Sequence, residues 1–219
     1  MQRHGRRVIA AVVALVSGGL VLALAGCATP AFRYVASPDD KVVFRVPRNW
    51  STLDPKQVVP AGSQSTELSW VTFYDGAAKP SAAHAKEAIP HSPLLVAESF
   101  TLTKDQAASL TNDQLLNAFG PVTDDAQAEA QITRAAQGLP ALKLRRVLNE
   151  LINKKLVHGV HVVFIVGDGT SQVTYNQLGL VDNKSGQAHF LVISCSSDCY
   201  QANQSQIEAV ARSFTVKNP

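Results

Sequence analysis

The leader constrains this chain before any folding begins. Arg3, Arg6 and Arg7 open it, residues 8–24 carry no charge, and Leu24-Ala25-Gly26-Cys27 follows at once. A positive start, an apolar middle and a small-residue cut site mark a secretory signal. A thiol placed directly after the small residues adds an acyl acceptor. Residues 1–26 therefore read as a lipoprotein signal peptide, cut before Cys27, with Cys27 the lipidated residue. A helix that spans a bilayer needs about 20 apolar residues; this stretch is short, and no basic stop-transfer cluster follows it. The expected location is the extracytoplasmic face of the cell membrane, held by two or three acyl chains, because one chain binds only marginally. Residues 27–39, with Pro30 and Pro38, read as a lipidated tether reaching about 17–21 Å. Residues 40–219 read as one domain, long enough to bury its own core.

Removal of the leader changes the charge argument. The whole chain carries 20 Lys+Arg and 17 Asp+Glu. The three leader arginines account for the entire excess, so the mature chain is neutral. No basic stripe remains to recruit nucleic acid. With Cys27 consumed by lipid, Cys195 and Cys199 are two thiols in an oxidising compartment, and a disulfide is the expected outcome. The C-x3-C spacing departs from the C-x-x-C of redox sites, and no second cysteine pair completes a zinc site.

Along the mature chain, Val42, Phe44 and Val46 alternate with Val43 and Arg45, which predicts a strand ended by Pro47, with Trp50 folding back onto the core. Residues 67–74 and 94–103 predict two more strands, separated by an Ala-, Pro- and His-containing loop at 77–93. Thr103 to Gln106 and Thr111 to Gln114 are capping-box patterns. Thr123 or Asp124 caps an Ala-rich helix running to Gln137, ended by Gly138 and Pro140. Residues 141–156 carry helical spacing in Leu144, Val147, Leu148, Leu151, Ile152 and Leu156. Residues 160–166, 173–181 and 190–195 predict strands joined by tight turns, an antiparallel meander. Ile207, Val210, Ala211 and Phe214 fall at i, i+3, i+4 and i+7, the apolar stripe of a final helix that packs on the sheet.

The opening Val43-Phe44-Arg45-Val46-Pro47-Arg48-Asn49-Trp50 and the closing Ile207-Glu208-Ala209-Val210-Ala211-Arg212-Ser213-Phe214-Thr215-Val216 resemble the two ends of PsbP/Mog-like domains. Asn176-Gln177-Leu178-Gly179-Leu180-Val181-Asp182 and the Cys195/Cys199 pair resemble actinobacterial lipoproteins of the LpqN-like branch; residues 77–140 match neither. The resemblance implies an α+β fold, a single antiparallel sheet flanked by helices in an αβα sandwich. It implies accessory or partner-binding members without a shared catalytic centre, so no functional residue is carried over. It also places a strand at 142–150, against the local helical period, and we favour the strand.

No nucleophile elbow, Ser-x-x-Lys pair, P-loop or dinucleotide fingerprint is present. His158 and His161 would share a helix face but lie on opposite faces of a strand, so no metal site is expected there. His84 and His91 read as solvated loop residues, and Lys154-Lys155 with Arg145-Arg146 as a solvated basic face. The expectation is a non-enzymatic envelope module, without cofactor, that binds an envelope protein or lipid close to the membrane. A carrier of an apolar envelope ligand is the first alternative and demands an apolar pocket of about 300–1,000 Å³. A hydrolase with a dispersed site, built around His189, is the second.

Overall fold

The computed structural model describes residues 31–59, 67–154 and 156–217. The leader, Cys27 and Lys155 lie outside these residues. The strands, in chain order, are β1 Phe32–Ala36, β2 Val42–Pro47, β3 Ser51–Leu53, β4 Leu68–Asp75, β5 Leu94–Thr101, β6 Leu144–Lys154, β7 Val157–Val166, β8 Val173–Asp182, β9 Gln187–Ser196 and β10 Thr215–Val216. The helices are α1 Pro55–Val58, α2 Lys104–Ser109, α3 Asn112–Leu116, α4 Asp124–Ala136 and α5 Ser197–Ser213. Seven strands form one antiparallel sheet in the order β3-β4-β5-β9-β8-β7-β6, and β1, β2 and β10 form a small sheet beside it. The α+β class with a dominant antiparallel sheet is as expected; the three-stranded sheet is an addition.

Each face of the large sheet has its own core. On one face Leu95, Leu178, Leu191 and Ile193 pack against Phe44 of β2 and against Ile207 and Val210 of α5. The predicted stripe on the last helix is the stripe that is buried. Trp50 joins this core at 1% exposure. On the other face Val160, Val162, Phe164 and Phe190 receive Leu115 and Leu116 of α3. Gln177 fixes that helix by donating to the Leu115 and Leu116 carbonyls at 2.7 and 3.2 Å. Gly179 lets it approach: a Cβ there would lie 3.0 Å from the Phe190 ring and 3.4 Å from Leu115.

Both capping boxes form completely, Thr103 with Gln106 and Thr111 with Gln114. Thr123, not Asp124, caps α4. Residues 141–156 resolve in favour of the strand, since β6 pairs along its length with β7. A bulge at Val147 puts Leu144 on the α3 face and Leu148 and Ile152 on the α5 face, so a strand that changes faces mimics helical spacing. The tether expected over 27–39 is a correction: residues 32–36 are β1, paired with β2. Phe32 and Val35 pack on the core, the Arg33 guanidinium lies over the Tyr74 ring, and Arg33 donates to the Trp50 carbonyl at 2.7 Å. Pro38 follows a strand rather than a flexible stretch. The Cys195–Cys199 disulfide is present, with Cα atoms 5.9 Å apart, and joins the end of β9 to the first turn of α5. No described helix is long and apolar enough to cross a membrane.

Candidate functional site

The α5 face of the sheet opens into a cleft of about 240 Å³ between β6, β7, β8 and the helix. Strand alternation assembles it. Leu148 and Glu150 of β6 stand opposite Val163 and His161 of β7, and Val163 stands opposite Asn176 of β8. All five therefore share one face. From α5, Tyr200, Glu208 and Arg212 complete the lining at four- and eight-residue spacing along one side of the helix. Leu148 and Val163 give an apolar floor.

A hydrogen-bonded relay lies beneath. Asn176, fully buried, donates through Nδ2 to Tyr200 Oη at 2.9 Å, which turns its Oδ1 toward His161 Nε2 at 2.9 Å. His161 Nε2 must then carry the proton, and Nδ1 faces Glu150 Oε2 at 3.5 Å. Burial pushes the Tyr200 phenol up, and the Glu208 charge adds to this against the Asn176 hydrogen bond. The phenol thus stays protonated at neutral pH: a donor, not a nucleophile. On the rim, Arg212 pairs with Glu208 at 3.2 Å, and Gln204 donates to the other Glu208 oxygen at 2.7 Å. The arrangement can grip a small group that is apolar on one side and hydrogen-bonding on the other.

Among solved structures, cyanobacterial PsbP (CyanoP) from Synechocystis sp. PCC 6803 superposes with a TM-score of 0.51 at 15% identity, covering 88% of this chain and 96% of that one. The chain has the PsbP/Mog-like fold. Two further structures align over similar lengths. The Saccharomyces cerevisiae Ran-binding protein Mog1p has a TM-score of 0.43 at 8% identity, with 84% and 95% covered. LpqN, involved in cell envelope biogenesis of Mycobacterium tuberculosis, has 0.45 at 13%, with 85% and 91% covered. No family model and no curated protein matches the chain.

Within the PsbP/Mog-like fold the other histidines are placed as follows. His158 bonds Asn183 Oδ1 at 2.7 Å on the sheet face opposite His161, as strand parity requires. His189 is fully buried, its Nδ1 2.8 Å from Ser99 Oγ and its Nε2 without a partner among the described residues. Burial pushes it down to about 4, outweighing the pull of Asp39 and Asp182. A neutral imidazole sealed in the core does not serve a hydrolytic site. His91 and His84 line an open hollow beside the 77–93 loop. Here the expected solvated loop is wrong in one respect. Asp75, fully buried at the end of β4, accepts from Ala77 N at 2.8 Å, Ser81 N at 3.0 Å, Ser92 Oγ at 3.0 Å and His84 Nδ1 at 2.7 Å. Burial alone would raise this carboxyl; the four donors outweigh it and hold it below the usual range. The loop is latched. Ser92 gives its own proton to Asp75, so the Asp75–His84 pair does not activate it.

Of the basic residues, Arg146 pairs with Asp124 at 2.5 Å and Arg145 is exposed. The apolar pocket lined by Leu53, Phe73, Leu94, Val96 and Val192 holds about 130 Å³, below the roughly 300 Å³ an apolar ligand needs. A larger volume, about 560 Å³, is an open groove beside α4. Sequence reading missed Glu150, Asn176, Tyr200, Glu208 and Arg212. The only signal for Tyr200, Glu208 and Arg212 is the polar spacing 200, 204, 208, 212 on a helix whose other side is apolar; Glu150 and Asn176, on strands, had none.

Proposed function

We propose that this protein is a non-catalytic binding module of the cell envelope, anchored through acylated Cys27, that holds a small polar-headed group of a partner in the cleft between α5 and the sheet. The carrying observation is the buried Asn176 joined to His161 and Tyr200 beneath that cleft. Three polar side chains desolvated together cost free energy unless their remaining hydrogen-bonding capacity is used. The Tyr200 hydroxyl proton is the capacity left over. A volume of about 240 Å³ suits a side chain or headgroup better than a whole drug-sized ligand.

The anchor sets the working distance. Five residue steps separate Cys27 from Phe32, the start of β1, and fully extended they span at most about 18 Å. Tyr34, largely exposed on β1, is suited to a headgroup boundary, where amphipathic rings concentrate. A photo-crosslinking residue at Leu148, in the full chain in its own envelope, tests the cleft. A discrete adduct is expected, lost with Arg212→Ala and Tyr200→Phe and absent when the probe sits at Ala135 of α4. No adduct at Leu148, or the same adducts from both positions, overturns the reading. Cys27→Ser tests the anchor: fatty-acid labelling should vanish, and retained labelling refutes it.

A further inference from the structure

Strand β6 closes the large sheet at one end, and no described element pairs with its outer side. The opposite end is managed: β3 is three residues long and followed at once by α1. An open edge is a template for another strand. The first part of β6 is blunted by Arg145, Arg146 and the bulge at Val147. The straight part, residues 148–154, is not, and it exposes Leu151 at 69%.

We propose that residues 148–154 pair antiparallel with the same residues of a second copy, in a register centred on Leu151, to give one continuous sheet across a twofold axis. This register pairs the whole straight segment and covers its exposed leucine. Leu151 meets Leu151, covering the exposed side chains. Asn149 stands opposite Asn153 of the partner subunit on the same face, amide to amide. On the other face Glu150 stands opposite Ile152 of the partner subunit and diagonal to both Lys154 and Glu150 of the partner subunit, so each lysine offsets the carboxylates that meet near the axis. A register centred on Glu150 sets two carboxylates face to face. One centred on Ile152 shortens the pairing to residues 150–154 before the β6–β7 turn intervenes. One centred on Asn149 runs into the bulge.

The symmetry also suits the anchors. A residue that pairs with itself places the twofold axis normal to the sheet, so the same face of both copies looks the same way. β1 and β2 lie on the α5 face, so in both copies the segment leading back to Cys27 starts on one side, and both acyl groups enter one leaflet with the α5 faces toward it. Confinement to a membrane raises effective concentration and favours pairing that is weak in free solution. The proposal does not rest on what fills the cleft, although it brings the partner subunit's Lys154 beside Glu150 on the cleft rim.

Cysteine crosslinking of the full chain in isolated membranes tests this. Directly opposed Cβ atoms in an antiparallel pair lie about 4.5–5.5 Å apart. Under copper-phenanthroline oxidation, Leu151→Cys should convert most of the chain to a disulfide dimer. Asn149→Cys and Asn153→Cys singly should not, and the double variant N149C/N153C should. These positions are exposed, so folding is preserved, and membrane yields equal to the parent chain confirm it. An absence of dimer from both Leu151→Cys and the double variant overturns the proposal. So does Asn149→Cys alone crosslinking as well as Leu151→Cys, or an adduct of any mass other than two chains.

Discussion

The Asp75 latch carries a prediction whose size follows from its geometry. Oδ1 accepts from Ala77 N and Ser92 Oγ, and Oδ2 accepts from Ser81 N and His84 Nδ1. In Asp75→Asn one oxygen becomes an NH₂ donor. Whichever way the amide turns, it meets one adaptable partner and one backbone N–H. Ser92 can rotate and His84 can change tautomer; the N–H of Ala77 or Ser81 cannot adapt. A buried donor left unsatisfied costs roughly 1–3 kcal/mol, and the surviving bonds lose charge assistance. The expected loss is about 2–3 kcal/mol for Asp75→Asn and about 4 kcal/mol for Asp75→Ala. Urea unfolding of the mature chain measures it, and limited proteolysis should cut within residues 77–92 only in the variants. Because the folded carboxyl titrates below its usual value of 3.8, its contribution is present above that pH and is lost as pH falls through the lower folded value. The difference between parent and variant should stay level from pH 8 to pH 5 and shrink below about pH 4. A difference under about 0.5 kcal/mol at pH 7, or a loop equally resistant in both chains, refutes the latch.

Two further outcomes follow. Glu98, on the β5 face shared with Val96 and Phe100, is pushed up by burial from an ordinary 4.5 to about 7. The folded state thus holds an extra proton between these values, and stability should fall as pH rises from about 4.5 through 7; Glu98→Gln should flatten that fall and gain at most about 2 kcal/mol at pH 8, read from urea melts at pH 5 and 8. Replacing both Cys195 and Cys199 by serine opens a short loop and should lower stability by about 2 kcal/mol, with no change if the parent chain is first reduced.

The strands and the closing helix were legible because their signals are local. Val42, Phe44 and Val46 alternate, Thr103 and Thr111 each precede a glutamine at the right distance, and Ile207 to Phe214 draw one stripe. Residues 144–154 were ambiguous for a reason now visible: the bulge at Val147 moves the buried face by one residue, so apolar positions recur with a nearly helical spacing. β1 was missed because two prolines bracket five residues whose pattern is too short to outweigh them. The cleft was out of reach because it is a matter of register. Parity separates His161 from His158, but only the pairing of Val163 with Asn176, and the seating of α5 on β8, brings His161 to Tyr200 across nearly 40 residues.

The proposed anchor, the cleft and the open edge are connected through one sheet. β2 lies over β4, with Phe44 against Trp70 and Tyr74, so β1, which pairs with β2, belongs to the β4 end of the sheet. From β4 to β6 there are five strand spacings, about 24 Å. If Cys27 carries the proposed anchor, the β4 end is held near the lipid; an unpaired chain then leaves its β6 end free to reach away, whereas the proposed twofold pairing lays both sheets parallel to the membrane with their α5 faces toward it. Cleft and open edge both lie at the β6 end, sharing β6, which lends Glu150 to the first and its backbone to the second. Pairing through β6 would therefore set the cleft toward the headgroups, whereas an unpaired anchored chain can hold it away from them. Inserting ten Gly/Ser residues after Ala28 distinguishes the two: a cleft that works away from the lipid should keep its Leu148 crosslinking, whereas a cleft that works only in contact with headgroups should lose its adduct.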